Sequence, residues 1–531
     1  MTFPRHSGVL LHPTSLPGPH GCGDLGAVAY HFVDWLEVAR QSLWQVLPLG
    51  GVGPGNSPYM SPSAFAGNEL LIDLVQLRNA GWLTDNDLEP DPALPDARVD
   101  YPAVQAFRMA RLRRAATYFL AHPDDAGQEA FAAFCVQEQD WLADYALFMA
   151  LSRDCAPWQD WPAPLAQREP SALLAAAAQQ AAETAFWKFC QWQFFTQWAA
   201  LKAYANVRGI EIIGDVPIFV AAHSADVWAN QDLFDLDASG HPRVVAGVPP
   251  DYFSATGQRW GNPLYRWSAH AAEDYRWWSA RLRQSLSTCD RVRIDHFRGF
   301  ESCWEIPATA ETAIDGCWRA GPGIALFAAL NRRLGVAAGE LPIIAEDLGV
   351  ITPEVNALRE AVGLPGMRIL QFAFDGKPDN LYLPHNYEAH TVVYTGTHDN
   401  DTTCGWWEAL GQHERDYVRR YLGLARETIH GESQRQTFEK HADARGIHGD
   451  SPAIPWDSPA IHWNLIRAAS ASVAAQCIFQ MQDVLGLESS QRMNRPGDGE
   501  GAWEWRFVWN QVKPWHADQL ADLTRLYGRC S

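Results

Sequence analysis

Basic residues are in short supply in this 531-residue chain: 42 Lys and Arg stand against 62 Asp and Glu, a formal charge of −20. That balance argues against DNA, RNA or an anionic membrane as the main partner, and leaves neutral, cationic or purely polar ligands. No run of 18 or more apolar residues occurs, so no membrane span is expected. The opening stretch MTFPRHSGVLLHPTSLPGPH lacks the long apolar centre of a secretory signal, and a cytoplasmic protein is expected. The ten cysteines are dispersed from Cys22 to Cys530 with no C-x-x-C pair, which reads as buried free thiols. H-E-x-x-H and other tight ligand spacings are also missing, so neither a metal nor a cofactor is expected. Aromatics, by contrast, are plentiful, with 24 Trp, 23 Phe and 15 Tyr. Many must be core, but so many in an acidic chain also suit a surface that stacks on sugar rings.

Short apolar runs recur, several of them ending in a polar or charged cluster. They are GVLLHPTS (8–15), LWQVLPLG (43–50), EIIGDVPIF (211–219), RVRIDHF (291–297), LPIIAEDLG (341–349), GMRILQFAF (366–374), HTVVYTGTHDN (390–400) and AAQCIFQMQDVLG (474–486). Between them lie helical stretches such as 325–334 and 353–362, the latter with Thr352 as N-cap and Pro353 at the first helical position. Eight strands alternating with helices predict an α/β fold of the (β/α)8 TIM-type barrel class, with insertions forming subdomains. The barrel is assigned to 1–75 and 185–531, with a mainly helical insertion at 76–184. There Arg108, Arg111 and Arg114 recur every three residues and read as a solvated helix face. Farther on, Phe186, Cys190, Phe194, Trp198 and Leu201 fall near helical spacing and read as core. A second insertion, 220–274, is rich in Gly, Pro and aromatics, and so long an irregular connection suggests a functional cover over a cleft.

A barrel brings the C-terminal ends of its strands to one rim, where active sites sit. Four of the predicted strands end in acid: Asp215, Asp295, Glu346 and Asp399. Arg293 lies two residues before Asp295, so a strand directs both side chains to one face. A guanidinium there would favour an ionised Asp295, while a less compensated carboxyl could keep its proton, the division of labour that glycoside cleavage uses. Taken alone, Arg-x-Asp on a strand reads first as a plain ion pair, Asp215 and Asp399 could be turn or cap residues, and His296 and His398 read first as core or hydrogen-bonding histidines. The recurrence of acid at the same end of several strands tips the balance to a reactive rim.

Across nearly its whole length the chain resembles the amylomaltases, or 4-α-glucanotransferases, which are related to the α-amylase group of barrels. NSPYMSPSAFAGN, GDVPIFV, SADVWANQDLF, GVPPDYFSATGQRWGNPLY, RIDHFRGF, IIAEDLG and YTGTHDNDT occur in family order. The resemblance implies a retaining double displacement on α-1,4-glucans, with maltodextrins and glucose as partners and no nucleic acid or membrane. Asp295 would be the nucleophile, Glu346 the acid and then base, and Asp399 the holder of the reacting sugar's hydroxyls. Arg293 would sustain Asp295, His398 and His296 would bind the same sugar, and Asp215 would support the site. Tyr59 is a candidate stacking platform. Asp251 and Trp260, with Gln258, lie on the covering loop, and Ser57 is a further candidate contact. A monomer is expected. The nearest rival is an α-glucan hydrolase on the same barrel. A glucan-binding protein without activity is disfavoured, because Asp295, Glu346 and Asp399 are all retained, and a metal-dependent hydrolase is more remote.

Overall fold

The computed structural model describes residues 4–152, 156–250, 254–424, 460–497 and 501–529. Twelve strands are described. In chain order they are β1 (His6–Leu10), β2 (Leu43–Gln45), β3 (Glu211–Pro217), β4 (Val244–Val248), β5 (Gln258–Pro263) and β6 (Arg291–Asp295), followed by β7 (Ser302–Pro307), β8 (Cys317–Ala320), β9 (Ile343–Ala345), β10 (Gly366–Ile369), β11 (Thr391–Tyr394) and β12 (Gln476–Gln480). Eight of them form one parallel sheet in the order β10-β11-β12-β1-β2-β3-β6-β9. Its two edges meet where the Ala345 N–H donates to the Pro365 carbonyl at 3.0 Å, so the sheet curls into a barrel. Each of the eight apolar runs read from the sequence falls on one of these strands. The reason is physical: a parallel strand covered on both faces has no polar face, and so reads as a continuous apolar run.

Tight packing fixes the register. β1 pairs with β12 from His6 opposite Gln476 to Leu10 opposite Gln480, and with β2 from Gly8 opposite Leu43. A Cβ at Gly8 would sit 2.2 Å from the Leu43 carbonyl oxygen, so only glycine fits where these strands meet. The helices Ile324–Leu334 and Pro353–Val362 follow as predicted, the second with Thr352 at its N-cap and Pro353 opening the helix.

Between β2 and β3 the chain builds a set of helices, including Tyr101–Ala121, Gln139–Leu151 and the 27-residue Ala181–Val207. Phe186, Cys190, Phe194, Trp198 and Leu201 are all buried, as their spacing predicts. Trp198 reaches the barrel, its ring 6.2 Å from that of Trp44 on β2 and its indole N–H donating to the Thr288 carbonyl at 2.7 Å.

Arg108 corrects the reading of a solvated arginine face. It is wholly buried, with Nη2 donating to Asp24 Oδ2 at 2.8 Å, Nη1 to the Ile72 carbonyl at 2.9 Å and Nε to the His20 carbonyl at 3.2 Å. Arg111 lies flat on Phe107, and Arg114 pairs with Asp87 from a largely exposed position. Helical spacing says which residues share a stripe. It does not say that the loop carrying His20 and Asp24 crosses that stripe.

Residues 220–274 also depart from an irregular loop. They contain β4 and β5, which join β7 and β8 in a four-stranded antiparallel sheet of order β5-β4-β7-β8. Val244 pairs with Pro307, far along the chain, and Trp304 pairs with Trp318 on the strand that follows. The eight described cysteines are free thiols, and no helix among the described residues is long and apolar enough to cross a membrane.

Replacing Arg108 by Ala leaves Asp24 and three backbone carbonyls without their shared donor. The expected loss of stability is about 3–5 kcal/mol, read as a fall in denaturant midpoint without a change in slope.

Candidate active site

The site is assembled by register. In the β3–β6 ladder Asp215 is the direct partner of Arg293, and Pro217 that of Asp295. Arg293 and Asp295 alternate with Val292 and Ile294, so the two polar side chains share one face and the two apolar ones the other. Arg293 is buried and forks between two carboxylates. Nη1 donates to both oxygens of Asp215, at 2.8 and 2.7 Å, and Nη2 donates to Asp295 Oδ1 at 2.8 Å. Burial opposes the guanidinium's charge, but Asp215 and then Asp295 more than compensate and hold its proton affinity well above the usual arginine value. The Tyr59 hydroxyl donates to Asp215 Oδ2 at 2.8 Å. Burial and the neighbouring Asp215 hold that phenol protonated. Burial also raises the proton affinity of Asp215 above that of an ordinary carboxylate, against the pull of Arg293.

One step along the sheet, the Glu346 N–H donates to the Ile294 carbonyl at 3.1 Å, extending the β6–β9 ladder so that Glu346 stands beside Asp295. His296 has a left-handed backbone, φ 55° and ψ 49°, a conformation costing a non-glycine residue about 1–3 kcal/mol. The turn aims the His296 N–H at Glu346 Oε2, 2.6 Å away, while the Leu348 N–H holds Oε1 at 2.8 Å. Both oxygens of the carboxyl are thereby pinned. Burial first, and the adjacent Asp295 second, raise Glu346 to about 8, against the opposing effects of Arg293 and the two N–H donors. Glu346 therefore carries a proton at neutral pH. It is enclosed, with 8% exposure, whereas the side chains of Asp295 and Asp399 are 31% and 44% open.

Asp399 follows β11 after a short loop. Its Oδ1 accepts from Asn494 Nδ2 at 2.6 Å and lies 3.4 Å from His398 Nε2. Its carbonyl accepts from Arg492 Nη2 at 3.0 Å. The His398 ring stacks on Tyr59, 5.2 Å between centres at 20°, and Trp503 packs against both rings. Tyr59 therefore joins the Asp215–Arg293–Asp295 group to the His398–Asp399 pair. Ser57 sits at the turn below it, its Oγ accepting from the Tyr59 N–H at 3.3 Å, which makes Ser57 a cap that sets Tyr59.

Trp260, on β5, meets the His296 ring edge-on at 4.8 Å, and its indole N–H donates to Gln258 Oε1 at 3.1 Å. Trp260 is thus beside the group, while Gln258 is an exposed partner of Trp260 with no contact to the carboxylates. Burial pushes the His296 imidazole down to about 4, so it is neutral, and its Nε2 is buried without a protein partner. Asp251 lies outside the described residues, as do Tyr252 and Phe253. No three His, Cys, Asp or Glu side chains among the described residues come together as a metal site would need.

Asn494 and Arg492 did not emerge from the sequence. Neither carries a local pattern, and only the fold brings the segment after β12 against the loop after β11. Chemically, the arrangement offers an aspartate clamped by arginine, a glutamate alongside it that holds its proton, and a second, open aspartate linked to them through His398 and Tyr59.

The chain matches the family model described as 4-α-glucanotransferase, glycoside hydrolase family 77, over residues 11–510. It belongs to that family. It is 49% identical to the 4-α-glucanotransferase of Thermus thermophilus over 524 residues, 98% of each chain, and 46% identical to that of Synechocystis, over 99% of this chain and 98% of the relative. Among solved structures it resembles the amylomaltase from Streptococcus agalactiae in complex with acarbose, with a TM-score of 0.89 and 36% identity over 99% of this chain and 100% of that one. The protein is therefore an enzyme of the 4-α-glucanotransferase class on a (β/α)8 barrel.

Two outcomes are expected of this geometry. Activity that needs the Glu346 proton falls as pH rises through about 8, and kcat/KM should show that alkaline limb. Arg293→Lys, whose single ammonium cannot span Asp215 and Asp295, should lose about a hundredfold or more in kcat, measured by transfer assay on purified enzyme.

Proposed function

We propose that this enzyme transfers an α-1,4-glucan segment from a donor maltodextrin to the 4-hydroxyl of an acceptor glucan or glucose, by a retaining double displacement. Asp295 attacks the anomeric carbon while Glu346 protonates the departing glycosidic oxygen. The aspartyl ester so formed is broken by the acceptor hydroxyl, whose proton passes to Glu346. The observation that carries this reading is the adjacency of an arginine-clamped Asp295 and a Glu346 that holds its proton. Retaining enzymes set their two carboxyls about 5–5.5 Å apart, with the wider gap of inverting enzymes reserved for a water. A glutamate hydrogen-bonded to the residue next to the aspartate supports the closer pairing.

The transition state resembles a sugar cation, so negative charge at Asp295 and Asp399 lowers its energy more than that of the neutral substrate. Asn494 and His398 fix the Asp399 carboxylate for that task. Arg293 keeps three carboxyls from repelling one another out of position. The Streptococcus agalactiae amylomaltase was solved in complex with acarbose, which supports a ligand of that kind for this chain as well. In our reading, α-1,4-glucans and glucose are the partners, and the segment 220–274, which places Trp260 beside His296, shields the ester from water so that a sugar hydroxyl reacts first.

Chromatography of maltotriose products tests the reaction: longer oligomers together with glucose are expected, and glucose with maltose alone would show hydrolysis. Asp295→Asn should abolish turnover while glucan binding persists, and near-normal turnover there would remove the nucleophile from this account. Glu346→Gln should regain part of its first step with a glycosyl fluoride donor, which leaves without needing a proton.

A further inference from the structure

His12 has no place in the reaction described so far, yet it stands two residues beyond the end of β1, at the rim that carries the site. Its ring is buried, with only 5% of the residue exposed, and Nδ1 has no protein partner. Burial, reinforced by His398, pushes it down to about 3, so the imidazole is neutral throughout the working range. One ring nitrogen of a neutral imidazole donates and the other accepts, and leaving either of them buried and unmatched is costly.

A small void adjoins this ring. It measures about 10 Å³ and is bounded by His12, Ser15, His398, Gln480 and Gln482, with Leu and Met side chains and Trp505 closing the remainder. The ends of β11, β12, β1 and β2, neighbours in the barrel, supply most of its wall. One water needs roughly 10–15 Å³ of such space and two to four polar partners. At about 10 Å³ the space stands at the lower bound for one water, and His12 Nδ1 is the unpartnered polar atom among the side chains around it. An apolar void of this size would stay dry, whereas this one has five polar side chains around it.

We infer that this void is a built site for a single ordered water, and that His12 acts through that water as a positioning residue for His398 and hence for Asp399. The water can accept from or donate to His12 Nδ1, which suits either tautomer. His398 is then held by the water, by the Tyr59 ring stacked on it, by the Trp503 ring, and by Asp399 Oδ1, 3.4 Å from its Nε2. Without that support the ring could turn, and the Asp399 carboxylate would keep only Asn494 as a side-chain partner. The inference rests on the proposed role of Asp399 in holding the reacting sugar.

A high-resolution crystal structure of the unaltered chain tests the site directly. Density for one water within hydrogen-bonding reach of both His12 Nδ1 and the His398 ring is expected; a dry void, or a His398 ring turned away from it, overturns the proposal. His12→Leu and His12→Gln, compared on maltotriose, test the role. The Leu variant should lose about ten- to a hundredfold in kcat with KM little changed, and Gln, which restores a polar group, should recover most of it. Equal kcat in the two variants overturns the positioning role. Asp399→Asn is assayed beside them. If it is inactive while both His12 variants behave as wild type, the positioning role alone fails; if it turns over normally, the underlying reading of Asp399 fails. Should the Leu variant not fold, the crystal structure still decides.

Discussion

Arg293 is the interaction on which the rest of the site turns. A buried guanidinium is costly without partners, and buried carboxylates in company are costlier still. Here a single arginine resolves both problems by lying between Asp215 and Asp295 on neighbouring strands. The plain ion pair and the reactive site, which the sequence leaves as alternatives, turn out to share the same atoms. Asp215 and Tyr59 hold the arginine, and the arginine holds Asp295 in a fixed, charged setting. Removing any one of them disturbs the others, because Arg293 and Asp215 are buried and depend on these partners for their hydrogen bonds.

Glu346 shows how an environment separates two similar groups. Asp295 is partly open and bonded to a cation, whereas Glu346 is enclosed and touched by backbone N–H groups rather than by a charge. The strained turn at His296 supplies one of those N–H groups. Its conformational cost accompanies a carboxyl held in a fixed orientation at both oxygens. Two carboxyls on adjoining strands are thus given different surroundings, one bonded to a guanidinium and the other enclosed among backbone N–H groups.

Much of this was legible in the sequence, for reasons that also explain what was not. The eight barrel strands showed as apolar runs because both of their faces are covered, and Arg293 and Asp295 showed as a pair because strand alternation is strictly local. The fold class and the clustering of Asp215, Asp295 and Glu346 follow from those two rules. The antiparallel sheet of β4, β5, β7 and β8 escaped notice because its strands are polar in part and its central β4–β7 pairing joins two distant hairpins. Arg108 was misread for the same reason, since its partner Asp24 is 84 positions away. Asn494 and Arg492, and the void beside His12, depend wholly on how distant strand ends converge, and no window of sequence contains that convergence.

The barrel closes late in the chain. β1 lies between β2 and β12, so Gly8 pairs with Ile478, and Asp399 waits for Asn494 to anchor it. A growing polypeptide released from the ribosome in order can form β1, β2 and β3 early, but it has no complete seam until its final strand emerges. Pairings this distant are slow to establish and leave apolar edges uncovered meanwhile. Truncated or stalled products of synthesis would therefore be inert toward sugars and prone to stick to one another. The same seam ties the two halves of the site together, since the Asp399 anchor arrives only with the segment after β12.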